Sequence, residues 1–416
     1  MIANKKIKIG FYLPSQANAL KYGGSTFYDF LIGALDEHLE KNIREVILIC
    51  NRLEDAKELT TRNLQIVQIP DYKISLEQKK LTLKERVRLF ILRHLFPESI
   101  YKFLQKSVEN SDTNELLFRD TFEKIIDDYQ IDLMIYANQF NIPTINRPYM
   151  WILWDMACRN INFFYSMETS NKLLNKLRYC SSNAFRIITA NQTGAREIAK
   201  YLIFPEERIK SIPFPAQEDL KLAKETVPEK KYSNYIFYPA LLTSHKNHIV
   251  ILKALRILHD QNININLVLT GAEKGGLEYT LTTANELNLQ KFIHYLGVVP
   301  IEELKWIYKN AEALVFPSLL GPNNFPPIEA MSLGVPVLVS DIEGHRNQLQ
   351  ENALFFDPLC PQSLATQISR LFGDPALRKK LIHSGSRFVE SLTPEKYVIE
   401  LLECADEFAP YRSTYR

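Results

Sequence analysis

The sequence predicts an α/β protein made of two consecutive Rossmann-like halves, and three observations carry that expectation. Short β-rich runs alternate with longer helical patterns along most of the chain. A polar interval, QEDLKLAKETVPEKKYSN at 217–234, breaks the alternation near the middle. The length, 416 residues, exceeds what one ordinary core organises.

Taken in order, the run at 5–14 reads as a first strand, followed by a glycine pair and the helical pattern TFYDFLIGALDEHLE. EVILICN (45–51) and LQIVQIP (64–70) read as further strands. A helix ending near Asp128 precedes IDLMIYA (131–137), and FRIITAN (185–191) leads into the helix TGAREIAKYL and the run RIKSIPFPA. After the polar interval a second βα series follows, with strands at 235–241, 265–271, 292–297, 313–318 and 335–341. The division is therefore 1–216, a linker at 217–234, 235–393, and a last helical segment at 394–416.

Composition narrows the function classes. The hydrophobic share of 46% and charged share of 24% are those of a globular protein with ample core material. A formal net charge of +2 gives no global nucleic-acid signature. The five cysteines, Cys50, Cys158, Cys180, Cys360 and Cys404, are widely spaced and lack CxxC spacing, which argues for a reducing compartment and against a zinc site. No secretory signal is read at the start, and no apolar run approaches the ~20 residues that span a bilayer. A cytoplasmic location is expected. The basic amphipathic segment at 79–106 is either a surface helix of its own domain or a peripheral contact with the inner face of the membrane.

Four loops carry the chemistry. In PALLTSHKNH (239–248), Lys246 lies where a strand-to-helix loop meets the helix, a place where an ammonium can meet a phosphate beside a helix dipole. A solvated loop lysine is the alternative. His245 and His248 are three apart, but no neighbouring carboxylate or cysteine completes a metal set.

GPNNFPPIEAMSLGVPV (321–337) follows a buried strand. Pro326 and Pro327 suit a first helical turn, and Gly334 suits the end of that helix. Glu329 then projects from the first turn at the mouth of a cleft, where it can accept hydrogen bonds from sugar hydroxyls. Alternatively it caps the helix, paired with Asn324 or its neighbours.

In SQANALKYGGSTFYDF (15–30), Gly23 and Gly24 permit close approach of backbone to a ligand, without the GxGxxG spacing of a nicotinamide site. In MWILWDMACRNINFFYS (150–166), Asp155 follows a strand end between aromatic runs. It reads as a general base or acceptor-orienting carboxylate, with Arg159 as the partner that keeps it ionised, or as a structural pair.

With these loops assembled, the chain resembles family 4 glycosyltransferases, the retaining GT-B enzymes that use nucleotide sugars. FPSLLGPNNFPPIEAMSLGVPVLVSDIEGHRNQL, ALFFDPLCPQSLA, YPALLTSHKNH and IITANQTGAREIAKYL carry the resemblance, together with WILWDMACRN. It implies a GT-B fold with two domains facing across a cleft. A nucleoside-diphosphate sugar, GDP-mannose for example, would bind mainly to the C-terminal half, and a glycan or lipid-linked glycan acceptor to the N-terminal half.

Glu329 would hold the ribose and Lys246 the diphosphate, and His245, Asn324, Phe325 and Gly24 would line the donor site. Asp155 and Arg159 would face the acceptor. No metal or other cofactor is implied. The reaction implied is transfer of mannose or glucose to a hydroxyl of a growing glycan, with an epimerase or a non-catalytic partner subunit as rivals. Three positions depart from the family pattern: Gly321 stands where a first glutamate is usual, Leu241 where an arginine is usual, and Cys158 where a histidine is frequent.

Overall fold

The computed structural model describes residues 7–13, 24–41, 45–50, 64–69, 112–137, 145–160 and 166–414. The basic segment at 79–106 and the loop at 15–23 lie outside these residues.

The first half is a parallel sheet of β1 (Ile9–Leu13), β2 (Val46–Cys50), β3 (Gln65–Gln68), β4 (Leu133–Tyr136), β5 (Tyr149–Ile152), β6 (Ala184–Thr189) and β7 (Ile209–Ser211). Its strand order is 3-2-1-4-5-6-7. The helices are α1 (Gly24–Lys41), α2 (Asp112–Asp128), α3 (Ala157–Asn160), α4 (Met167–Ser182) and α5 (Gln192–Leu202). Continuous apolar runs such as VILIC and YMWI are buried along their whole length, as strands covered on both faces require. Two apolar clusters cover the two faces of this sheet.

The second half holds β8 (Tyr235–Pro239), β9 (Asn266–Thr270), β10 (Ile293–Tyr295), β11 (Ala313–Phe316), β12 (Val337–Ser340) and β13 (Leu354–Phe356). All pairings are parallel, and the order 10-9-8-11-12-13 repeats the doubly wound pattern. Between the sheets lies α6 (Glu218–Leu222). The helices that follow are α7 (His248–Asp260), α8 (Leu277–Glu286), α9 (Ile301–Lys309), α10 (Phe325–Ser332), α11 (Glu343–Leu349), α12 (Pro361–Gly373), α13 (Pro375–Glu390) and α14 (Pro394–Asp406).

The interval at 217–234 is polar in sequence yet anchored. Leu220 is buried in the second core, Thr226 donates to the Glu302 carbonyl, and the Lys305 ammonium donates to the Lys221 and Ala223 carbonyls. A surface segment satisfied by α9 reads as a linker because its side chains remain wet.

The final helix, α14, packs on α1 of the first half. Its buried positions, Tyr397, Val398, Leu401, Leu402 and Ala405, repeat at helical spacing and join the first half's core. Thr393 caps its N-terminus by accepting from the Lys396 N–H. No described helix is long and apolar enough to cross a membrane.

Candidate functional site

In each sheet the strand order reverses direction beside the central strand, and loops leaving the strands there border a crevice. In the second half that point lies between β8 and β11. The loop after β8 carries Lys246, and the loop after β11 leads into α10 and Glu329. Asn247 fixes the arrangement. It adopts a left-handed conformation, with φ 55°, that shape-matches the start of α7, and its side-chain amide donates to the carbonyls of Pro317 and Pro358. Loops from β8, β11 and β13 are thereby tied by one side chain. Leu319 adds a bond from its N–H to the His245 carbonyl.

Lys246 is partly buried, and its ammonium makes no ion pair among the described residues. It lies 5.1 Å from the centroid of the Phe316 ring, whose face attracts a cation. Burial lowers its pKa to about 8, and the Asp155 carboxylate from the opposite half opposes that shift. Three imidazoles surround it electrostatically. Burial, reinforced by the lysine charge, lowers His245 to about 4 and His248 to about 3. His345 is lowered to about 4 by burial, with a hydrogen bond to the Ser340 carbonyl opposing. That bond places a proton on Nδ1, so Nε2 is free to accept from the Asn324 side chain at 3.0 Å. At neutral pH Lys246 is thus a single cation among neutral rings. Among the described residues no group of His, Cys, Asp and Glu is arranged to hold a metal ion.

Neither α7 nor α10 has a side chain capping its N-terminal amides, and neither has an acidic residue in its first turn. At α7 those N–H groups are available to an anion, whereas in the first turn of α10 Pro326 and Pro327 carry none and the Asn324 N–H is held by Gln348, which leaves that of Phe325. Pro326 and Pro327 occupy the first turn of α10, as the sequence predicts.

The Glu329 side chain is largely buried, and its partner is Tyr308 rather than Asn324. One carboxylate oxygen accepts from the hydroxyl of Tyr308 on α9, and burial raises its pKa to about 7 against that bond. Asn324 is occupied elsewhere. Its backbone N–H and C=O are both held by the Gln348 side chain, and its amide donates to the Gly321 carbonyl.

Phe325 projects toward the first half, where its ring stacks on Phe214 at 5.3 Å with 8° between planes. The Asn191 amide of the first half donates to the Pro322 carbonyl and to Asn323 Oδ1. Asn347 donates to Thr193, and Arg196 pairs with Glu343. The segment 321–325 is therefore gripped from both sides of the cleft.

Gly321 has φ 126°, in the region that favours glycine, and a Cβ there would lie 2.6 Å from Asn324 Nδ2. A Cβ on Gly344 would meet Pro322 Cα at 2.7 Å. A glutamate at 321 has no room in this backbone. The first departure from the family pattern is built into the loop.

On the opposite face, Asp155 follows β5 and accepts from the N–H of Ala157, closing a local turn into α3. Arg159, its expected partner, lies on α3. The guanidinium lies 5.9 Å from the centroid of the Tyr201 ring. Cys158, where the family frequently has histidine, is buried, and burial raises its thiol. Gly24 is the first residue of α1.

One carboxylate was not anticipated. Glu197 on α5 has a buried oxygen without a partner among the described residues, and burial raises it to about 7 despite a hydrogen bond from Asn160. A lone glutamate inside an amphipathic helix gives no sequence signal of this.

Residues 221–388 match the family model described as "Glycosyl transferases group 1". An uncharacterized glycosyltransferase of Methanocaldococcus jannaschii is 24% identical over 64% of this chain and 71% of its own length. The O-antigen chain mannosyltransferase RfbU of Salmonella typhimurium is 29% identical over 41% of this chain, and that match spans 46% of its length. Among solved structures, Anabaena HepE in complex with UDP-glucose superposes with a TM-score of 0.65 at 15% identity, over 96% of this chain and 100% of that one. The fold is that of the GT-B glycosyltransferases, and the similarity to group 1 glycosyl transferases lies in the C-terminal half.

Proposed function

We propose that this GT-B glycosyltransferase moves a hexose, mannose or glucose, from a nucleoside-diphosphate sugar to a hydroxyl of a growing glycan with retention of configuration. The observation that carries the reading is the Lys246 ammonium. It stands without an ion pair at the switch point of the second sheet, beside two uncapped helix N-termini and facing Asp155 across the cleft.

Negative charge develops on the diphosphate as the glycosidic bond breaks. Lys246 and the first-turn amides of α7 stabilise it, with the N-terminal dipole of α10 adding to them. With Leu241 in the position of an arginine, Lys246 bears most of that load, and no metal ion is required. The imidazoles at 245, 248 and 345 are neutral near pH 7, so among these four groups Lys246 brings the positive charge to the phosphate. Glu329 orients the ribose, its carboxylate steadied by Tyr308.

Asp155 orients the acceptor hydroxyl, and Arg159 stands further out on the same side. The departing phosphate can itself accept the acceptor proton on the same face, so no separate base is demanded. The relatives support a role in polysaccharide assembly, since RfbU is named for O-antigen chain mannosyl transfer. HepE, solved with UDP-glucose, supports a nucleotide-sugar donor.

Release of nucleoside diphosphate, measured over a panel of GDP- and UDP-sugars, tests the reading. Turnover with at least one donor is expected, with large losses in Lys246→Ala and Glu329→Ala. Unchanged rates in both variants would overturn the site assignment.

A further inference from the structure

On the hinge side of the cleft, both halves enclose a cavity of about 370 Å³. Leu392, whose carbonyl accepts from the Ala216 N–H, forms part of its wall. None of Lys246, Glu329 or Asp155 lines it. Its size falls within the range of small-molecule sites.

The lining has a consistent chemistry. Amide side chains line it from both halves, Asn191 and Gln192 from the first, and Asn323, Asn347, Gln348 and Gln350 from the second. Asn191, Gln192, Asn347 and Gln348 already donate within the protein, so a ligand meets their remaining acceptor capacity and the exposed Gln350 amide. An amide presents a donor and an acceptor on one plane, which is what neighbouring hydroxyls on a ring require. No carboxylate lines the cavity, and Lys396 is its single charged group. The rings of Phe214 and Phe388 supply an apolar surface for the C–H face of a sugar.

Two further features point to a ligand. Ser211 borders the cavity, and its hydroxyl lies buried behind that wall without a hydrogen-bond partner among the described residues. Buried hydroxyls are normally satisfied. Gln350 holds φ 52° and ψ −126°, a left-handed backbone carrying a long amide where glycine would be relaxed.

We propose that this cavity is a second saccharide site, taking a neutral hexose or short glycan, separate from the donor site. Its occupancy would be felt at the catalytic face through Gln348. That side chain lines the cavity while its amide grips Asn324 at the start of α10, the helix that carries Glu329.

The test is a calorimetric titration of the full chain with D-mannose, D-glucose and maltose. Ser211→Leu fills the cavity, and Gln350→Ala removes one exposed amide. At least one sugar should bind the unmodified protein, with affinity reduced about tenfold or more in Ser211→Leu and about threefold in Gln350→Ala. Thermal melts and GDP or UDP titrations should remain close to those of the unmodified protein.

Absence of sugar binding up to about 50 mM would overturn the proposal. So would equal affinity in the unmodified protein and both variants, which would assign the sugar to another site. If Ser211→Leu melts early, Gln350→Ala decides alone. Failure of GDP and UDP to bind would instead count against the donor site, and the sugar titration would stand by itself.

Discussion

On the C-terminal face of the cleft, Asn247 ties three loops together and Gln348 holds both backbone groups of Asn324. On the N-terminal face, Asp155 is turned by the N–H of Ala157, two residues away, and Arg159 lies over Tyr201. One face is a network anchored on three strands, whereas the other is a local turn beside a four-residue helix. A network of that kind holds a functional group at fixed geometry before any ligand arrives, which is what electrostatic stabilisation of a leaving group needs. A local turn constrains its side chain less and leaves that face adaptable.

The comparison is broken most directly at Lys246. Lys246→Ala should lower donor turnover by about 10²–10³-fold, as loss of a principal charge-stabilising group does. In the unmodified protein, kcat/KM for the donor should decline as pH rises through about 8, where Lys246 loses its proton. A profile flat to pH 10 would separate Lys246 from the chemistry.

The next largest effect is expected at α10. Glu329→Ala should cost about tenfold or more, mainly in KM if the ribose is held equally before and during reaction. Tyr308→Phe removes the hydrogen bond that opposes burial, so the Glu329 titration should move upward from about 7. A pH–rate profile with an unmoved acidic limb would show that Glu329 does not titrate in the reaction.

Gly321→Glu sharpens the contrast by restoring the family's usual residue. Positive φ and the crowding of Asn324 should destabilise the fold by about 1–3 kcal/mol, read as a lower Tm with no gain in turnover. On the adaptable face, Arg159→Ala should do least. Loss of a cation–π contact is worth about 0.5–1 kcal/mol, and turnover should stay within about twofold. A hundredfold loss there would mean that Arg159 contacts substrate.

Much of the architecture was legible because glycine, proline and asparagine mark backbone geometry by identity. Pro326 and Pro327 announced the first turn of α10, and alternating β and α patterns announced both sheets. Tertiary partners were not legible. Tyr308 lies 21 residues before Glu329, on a helix whose sequence suits any surface. The Asp155–Arg159 reading relied on a separation of four residues, and α3 begins only at Ala157, so Asp155 lies outside the helix that carries Arg159. β13 was missed because three residues, LFF, are too few to show a period. Gln348 gave no signal either, since its role depends on α11 lying against the segment 321–325.

The chain passes between the halves twice, once near Ala216 and once near Leu392, and a hydrogen bond from the Ala216 N–H to the Leu392 carbonyl joins the two passages. A single passage would act as a swivel. Two adjacent ones act as the paired pins of a door, permitting rotation about one axis while resisting twist and sliding. Because α14 is embedded in the first core, cutting the peptide chain between 223 and 233 would leave the halves attached by the second pin. Lys246 and Asp155 would then part and meet along one repeatable arc.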